Sequence, residues 1–328
     1  MSPVPVDHMG APDEGRGRLA SAPSEISARG WKDILLQFFH NISEHRIIAL
    51  AAGVTFYTLL AIFPAIAALV AIYGLFSDPA TLTVHLEKLS GLLPGGAIDV
   101  IRDELTRVAS QRGSTLGLTF IVGLAVSLWS ANAAMRSVFD TLNVAYAETE
   151  ARSLIKLNAI SLAFTAAGIV FVLVAIAALV VLPSALKYLG LSELTELLVW
   201  AGRWPALFAV LTLALALVYR YGPSREKPRW RWITWGSAFA AFAWIAVSML
   251  FSWYAANFGS FNRTYGSLGA VIGFMTWIWL SAIVILIGAE RNAEMEHQTA
   301  RDTTTGAAEP LGARGAGMAG SVGPTQNY

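Results

Sequence analysis

Between Arg46 and Asp78 the chain runs through the whole of 47–77 without an Asp, Glu, Lys or Arg. That stretch fixes the solvent before it fixes the fold. A helix of this length, rising about 1.5 Å per residue, overshoots a hydrocarbon core roughly 30 Å thick. It is read as a membrane span that tilts, bends or runs into the interface. Pro64 is the expected bend, because its ring removes a donor and crowds the preceding turn. Composition agrees: 55% of residues are hydrophobic, 14% are charged and the mean hydropathy is +0.55, whereas a soluble domain carries about 25% charged residues.

Five further charge-free windows follow, at 113–135, 157–186, 204–219, 232–262 and 264–289. All but 204–219 exceed the length of about 18 residues that marks a spanning helix. The short window borrows Leu197 to Ala201 by snorkelling Arg203 toward the interface. The expectation is an all-α polytopic membrane protein with six transmembrane helices, at about 47–77, 113–135, 157–186, 200–220, 232–256 and 266–289.

The remaining chain is read by period and composition. Residues 1–28 are rich in Pro, Gly, Ser and Ala and are expected to be a disordered tail. The first long apolar run begins only at Ile47, so no cleavable signal peptide is expected. From Trp31, the residues Ile34, Leu35, Phe38, Phe39 and Ile42 recur at helical spacing. That predicts an amphipathic helix, lying in the headgroup region or on the protein's own cytoplasmic face. Leu82, Leu86, Leu89 and Leu93 form one stripe, and Ile98, Ile101, Leu105 and Val108 another, broken by Pro94-Gly95-Gly96. They predict an extracytoplasmic helical hairpin. The membrane domain is placed at 31–297, and 298–328 is expected to be a second disordered tail.

Lys and Arg concentrate in cytoplasmic loops. With a cytoplasmic amino terminus that side collects 16 of the 23 basic residues, leaving 7 outside, so both termini are expected to be cytoplasmic. The cluster Arg220, Arg225, Lys227, Arg229 and Arg231, interleaved with Trp230, Trp232 and Trp235, reads as an interfacial anchor facing anionic lipid. The formal net charge of +1 offers no overall basic field for nucleic acid.

Signs of catalysis are missing. Zero cysteines exclude disulfides, thiolate chemistry and Cys-bound metals. The five histidines, His8, His40, His45, His85 and His297, have no spacing that pairs two on one face near a carboxylate. No nucleophile elbow, phosphate loop or dinucleotide glycine pattern is present. No catalytic residue, metal or cofactor is therefore expected, and the chain is not read as an enzyme. The span interiors hold neutral polar groups instead: Thr55, Tyr57 and Thr58, then Ser127, Ser130 and Asn132, then Asn158, Ser161 and Thr165. Each serves as helix glue or lines a route for a polar solute. Asn132, Arg136 and Asp140 are spaced by four and share a helix face, continuing past the expected membrane edge. A second concentration lies at Asn262, Arg263 and Tyr265, ahead of Gly269 and Gly273, whose spacing allows close helix approach. The candidate substrate route is Thr55, Tyr57, Asn132, Arg136, Asn262 and Tyr265, with Glu290 pairing Arg136, or Arg46, as a candidate gate.

Ala49-Leu50-Ala51-Ala52-Gly53-Val54-Thr55-Phe56-Tyr57 running to Phe63-Pro64, the run Trp129-Ser130-Ala131-Asn132 with Met135-Arg136, the set Asn143, Tyr146, Glu150 and Arg152, and Asn262 through Tyr265-Gly266-Ser267-Leu268-Gly269 to Glu290 occur here in order. Together they resemble the YihY/virulence factor BrkB family over about 31–297. The resemblance implies a six-span bacterial inner-membrane protein with both ends cytoplasmic. It also implies a part in envelope integrity and serum resistance, with movement of lipid-like or other solutes suspected. The family has carried a ribonuclease BN label, which these residues do not support, since clustered His and Asp ligands are lacking.

The leading expectation is a transporter or lipid/solute translocase of the inner membrane. A non-transporting membrane scaffold or assembly factor is the alternative. Expected partners are membrane lipids and an unidentified solute or lipid substrate. No nucleic acid is expected, and homo-oligomerisation is left open.

Overall fold

The structure is a computed structural model and describes residues 15–76, 116–188, 193–257 and 269–324. The helical hairpin expected at 78–112 lies outside the described residues, as do Asn262 and Tyr265. Among the described residues a 3-10 turn, Pro23–Glu25, precedes eight helices: α1 Ala28–Glu44, α2 Ile47–Phe76, α3 Leu116–Ala145, α4 Leu154–Tyr188, α5 Glu193–Tyr221, α6 Trp230–Asn257, α7 Gly269–His297 and the short α8 Gly317–Gly320. Each expected span falls on one of the long helices α2 to α7. Over the described residues, three stretches are long and apolar enough to cross a membrane: Leu154–Phe171, Trp230–Asn257 and Val271–His297. A fourth joins them if the bent pair of α1 with Ile47–Ile62 is one span. The chain is an all-helical, polytopic membrane protein.

Why α1 and α2 are separate helices is visible at their junction. Ser27 caps α1 by accepting from the Gly30 amide. At the other end His45 closes the last turn and Arg46 takes φ 51°, a left-handed conformation that a side chain with a Cβ adopts at a cost. The two helix axes differ by 57° there. This junction bends sharply, while α2 continues as helix across Pro64.

Packing gives the order α4, α3, α2, α7, α6, α5 across the bundle, with α7 also touching α1, α3 and α8. Phe139, Leu142, Tyr146, Tyr219, Ile233 and Leu286 are at the centre of the main apolar core. The α6–α7 seam is built on small residues. Gly236 donates its amide to Asn292 Oδ1 at 2.9 Å, and a methyl group on Gly236 would overlap that same amide side chain. Ala240 packs on Gly288 one turn further along. Trp244 and Trp277 then reach across to Ser281 and Ser248 at 3.0 and 3.1 Å. Outward faces carry large apolar side chains, Trp129 (78% exposed) and Ile155 (84%) among them, the arrangement a hydrocarbon solvent allows.

Both described chain ends lie at one end of the bundle and touch each other. The Ala300 amide donates to Arg18 O at 2.8 Å, and Thr299 Oγ1 donates to Ala20 O at 2.7 Å. The tail then pairs with the α5–α6 loop through the Arg229 amide to Thr303 O and the Thr305 amide to Lys227 O. Arg314 ties it off by donating to the carbonyls of Ala300 and Ala319. Met318 on α8 enters the main core. Residues 15–27 and 298–324 therefore depart from the disordered tails expected of their composition. Backbone hydrogen bonds and buried Arg side chains hold them, and hydrophobic period does not register either.

α1 resolves its own ambiguity by dividing its apolar stripe. Ile34 and Phe38 are buried on the protein side, whereas Leu35 and Phe39 face outward. Asp33 is buried with Arg16 at 2.7 Å.

Candidate functional site

The seam between α3 and α4 brings together polar side chains of both helices. Asn132 Nδ2 donates to Asn158 Oδ1 at 3.2 Å, and Arg136 Nη1 donates to the same oxygen at 3.3 Å. Ser161 Oγ donates to Asn132 Oδ1 at 2.5 Å, and Thr165 Oγ1 donates to Ser161 O one turn on. Asn132 and Arg136 are half-buried and Asn158 is exposed, between the outward Trp129 and Ile155. One amide and one guanidinium thus share the single Asn158 Oδ1 acceptor, leaving further N–H groups of Arg136 and Asn158 to meet a polar group approaching from outside.

The other candidate residues are distributed differently. Thr55 is buried and donates to Ala51 O within α2, the back-bonding of a helix-embedded hydroxyl. Tyr57 is 44% exposed, its ring edge-on to Phe56, so it lies on another face of α2 from Thr55. Only Asn132 and Arg136 of the four described route residues meet in one cluster. Glu290 does not pair with Arg136. Its carboxylate sits 3.1 Å from His45 Nδ1, next in the chain to Arg46, and Arg136 turns to Asn158.

A second polar group occupies the end of the bundle where the chain ends meet. Arg225 and Glu296 form a bidentate pair at 2.9 and 3.0 Å with both side chains fully buried, and Thr303 Oγ1 donates to the same carboxylate. The Arg225 guanidinium lies 3.9 Å from the Tyr146 ring centroid. Asn41 Nδ2 donates to Glu294 Oε1 at 2.5 Å. Arg152 grips Glu150 at 2.6 and 2.7 Å and also reaches the Gly222 carbonyl, joining the α3–α4 loop to the end of α5. Those Arg152 bonds hold the Glu150 carboxyl down at about 2. Burial raises Glu148, which accepts from the Gly317 amide. The basic loop is largely spent inside the protein instead of on lipid. Arg220 meets the Pro228 carbonyl and the Trp230 ring, Arg229 meets Thr304 O, and Trp232 is buried. Lys227 and Arg231 remain exposed.

Reading along the chain assigns no partner to Asn41, Asn292, Glu294 or Glu296, passes over His45 for want of a second histidine, and gives Arg225 to the lipid interface. Glu290 and Glu294 are four apart on α7, which is a visible signal. Their partners stand 245 and 253 residues away.

A model of the virulence factor BrkB family matches residues 38–311. The chain belongs to this family. Among BrkB relatives, a ribonuclease-like protein of Bacillus subtilis, YfkH, is 31% identical over 268 residues, covering 79% of this chain and 94% of that one. A UPF0761 membrane protein of Methylibium petroleiphilum is 26% identical over 84% of this chain and 65% of its own length, so the match spans about two thirds of that relative. A UPF0761 membrane protein of Haemophilus influenzae is 24% identical over 79% of this chain and 93% of its own. No solved structure matches. Within this BrkB chain both polar groups, the α3–α4 seam and the buried end, fall inside the matched residues.

Proposed function

We propose that this BrkB-family membrane protein moves a polar solute or a lipid with a polar headgroup across a bacterial inner membrane, using the α3–α4 seam as its entry. In this reading α2 to α7 are six spans, and both chain ends lie in the cytoplasm, following the excess of Lys and Arg in the loops on that side. The observation that carries the reading is the seam itself. A guanidinium and two amides gather on an outward face beside the exposed Trp129 and Ile155, at the inner edge of the expected span, where a polar headgroup or solute could meet them. Helix glue would be better sheltered. Thr55, Tyr57, Asn262 and Tyr265 extend the proposed route, and membrane lipid is its first partner.

The test is transport by the purified full chain in liposomes, followed with a headgroup-labelled lipid and a panel of polar solutes. The expected result is movement that Asn132→Leu and Arg136→Leu each lower by about tenfold or more, equivalent to about 1.4 kcal/mol. No movement of any lipid or solute by the unaltered protein overturns the proposal. It would favour the second reading, a non-transporting scaffold, to which the closely packed α6–α7 seam and the clasped end point. A nuclease reading rests on names, the ribonuclease label the family has carried and that of the Bacillus relative, and on the basic Trp-rich loop.

A further inference from the structure

The junction between α1 and α2 holds an imidazole and a buried carboxylate in contact. His45 Nδ1 lies 3.1 and 3.2 Å from the two Glu290 oxygens, with the carboxylate fully buried and the imidazole mostly so. His45 is the residue at which α1 ends, and Arg46, immediately after it, takes the left-handed φ of 51° that turns the chain by 57° into α2. A strained residue persists only where its surroundings hold it. Near the junction, two side-chain contacts run from α1 to α7. One turn back on α1, Asn41 binds Glu294, and at the junction His45 binds Glu290. Near Glu290 lies Tyr146, fully buried, its hydroxyl close to the side chain of the buried Asn292.

We propose that His45 and Glu290 form an internal proton-binding site whose occupancy keeps α1 docked on α7 and so sets the bend between α1 and α2. The ligand is a solvent proton, taken up on the imidazole. With the proton bound, the pair is an imidazolium facing a carboxylate, and the buried charge is matched. Without it, Glu290 keeps a buried charge beside a neutral ring and the strained turn loses one of its restraints on α7. The charged groups facing His45 are Glu44 on α1 and Glu290 and Glu294 on α7, all acidic, and α2 brings none. The hydrogen bond to Glu290 raises His45 above the ordinary histidine value. A raised folded-state value means that the stabilisation is fully present below about 6.5 and is lost as pH climbs through the folded value. Docking of α1 therefore weakens on the alkaline side. This inference stands apart from the transport reading, because its readout is conformational.

The test uses the full chain in lipid nanodiscs. Histidine-selective isotope labelling, assigned with His45→Gln, follows the His45 titration, while hydrogen exchange corrected for intrinsic pH dependence follows residues 28–46. The expected result is a His45 titration above about 6.5, with protection of 28–46 falling through the same pH range. Glu290→Gln should return His45 toward the ordinary value and remove the pH dependence of protection. His45→Gln should remove that dependence as well, which keeps the test decisive should Glu290→Gln fail to fold. Corrected protection of 28–46 that is flat across the titration, or a His45 titration unmoved by Glu290→Gln, overturns the proposal.

Discussion

Arg225 spends its charge entirely inside the protein, between Glu296 and the face of Tyr146, and Thr303 donates to the same carboxylate. Two buried charges of opposite sign with good geometry roughly offset their desolvation, while removing one partner costs about 3 to 5 kcal/mol. Glu296→Gln should therefore lower the unfolding midpoint of the detergent-solubilised protein markedly. The double substitution Arg225→Met with Glu296→Leu should recover most of that loss in the same melting experiment. Glu150 makes a gentler case, since it is more exposed. Arg152 holds its carboxyl at about 2, below the unfolded value of about 4.3. A depressed carboxyl stabilises the fold above its unfolded value, and that contribution disappears as pH falls from about 4.3 through 2. Glu150→Gln should accordingly flatten the acid limb of the stability profile over that interval. At this scale the sequence exposes some partners and hides others. Asn132, Arg136, Asn158 and Ser161 could be singled out because they interrupt apolar helices at matching depth. The Glu290 partner could not, because depth alone does not separate His45 from Arg46 beside it, and only the turn between α1 and α2 aims the imidazole inward.

Helices were the most readable features, since absence of charge over 20 to 30 residues leaves a bilayer span as the economical way to satisfy the backbone. The seam between two of them was not readable. Gly269 and Gly273 stand out by spacing, whereas the close approach in the structure joins Gly236 and Ala240 to Asn292 and Gly288. Which of many small residues faces a neighbour depends on helix rotation, and near-uniformly apolar helices give no moment to fix it. Gly236→Ala should force the Asn292 side chain aside and cost about 1 to 3 kcal/mol, read as a lowered unfolding midpoint. Gly53→Ala, where a methyl group meets nothing, should leave the midpoint unchanged. The contacts of residues 15–27 and 298–324 are hidden from composition for a related reason. Low apolarity signals disorder only when no partner supplies hydrogen bonds, and here each tail supplies the other.

At the scale of the whole molecule, both described chain ends sit on one end of a helical bundle and close it together with the loops after α3 and α5. The chain contains no cysteine, so single cysteines introduced near residue 20 and near residue 306 report sidedness without background. In intact cells both should resist a membrane-impermeant thiol reagent and react only after permeabilisation. Labelling of one but not the other in intact cells would contradict this topology. A bundle closed at that end still leaves Asn158 of the α3–α4 seam on its outer surface, and that exposure is the basis of the proposed activity. The most direct measurement is transport by the reconstituted full chain beside its Arg136→Leu variant, matched for folding by melting temperature. The account predicts lipid or solute movement by the parent and about a tenfold slower rate in the variant. Equal rates in the two proteins, or none in either, would contradict it.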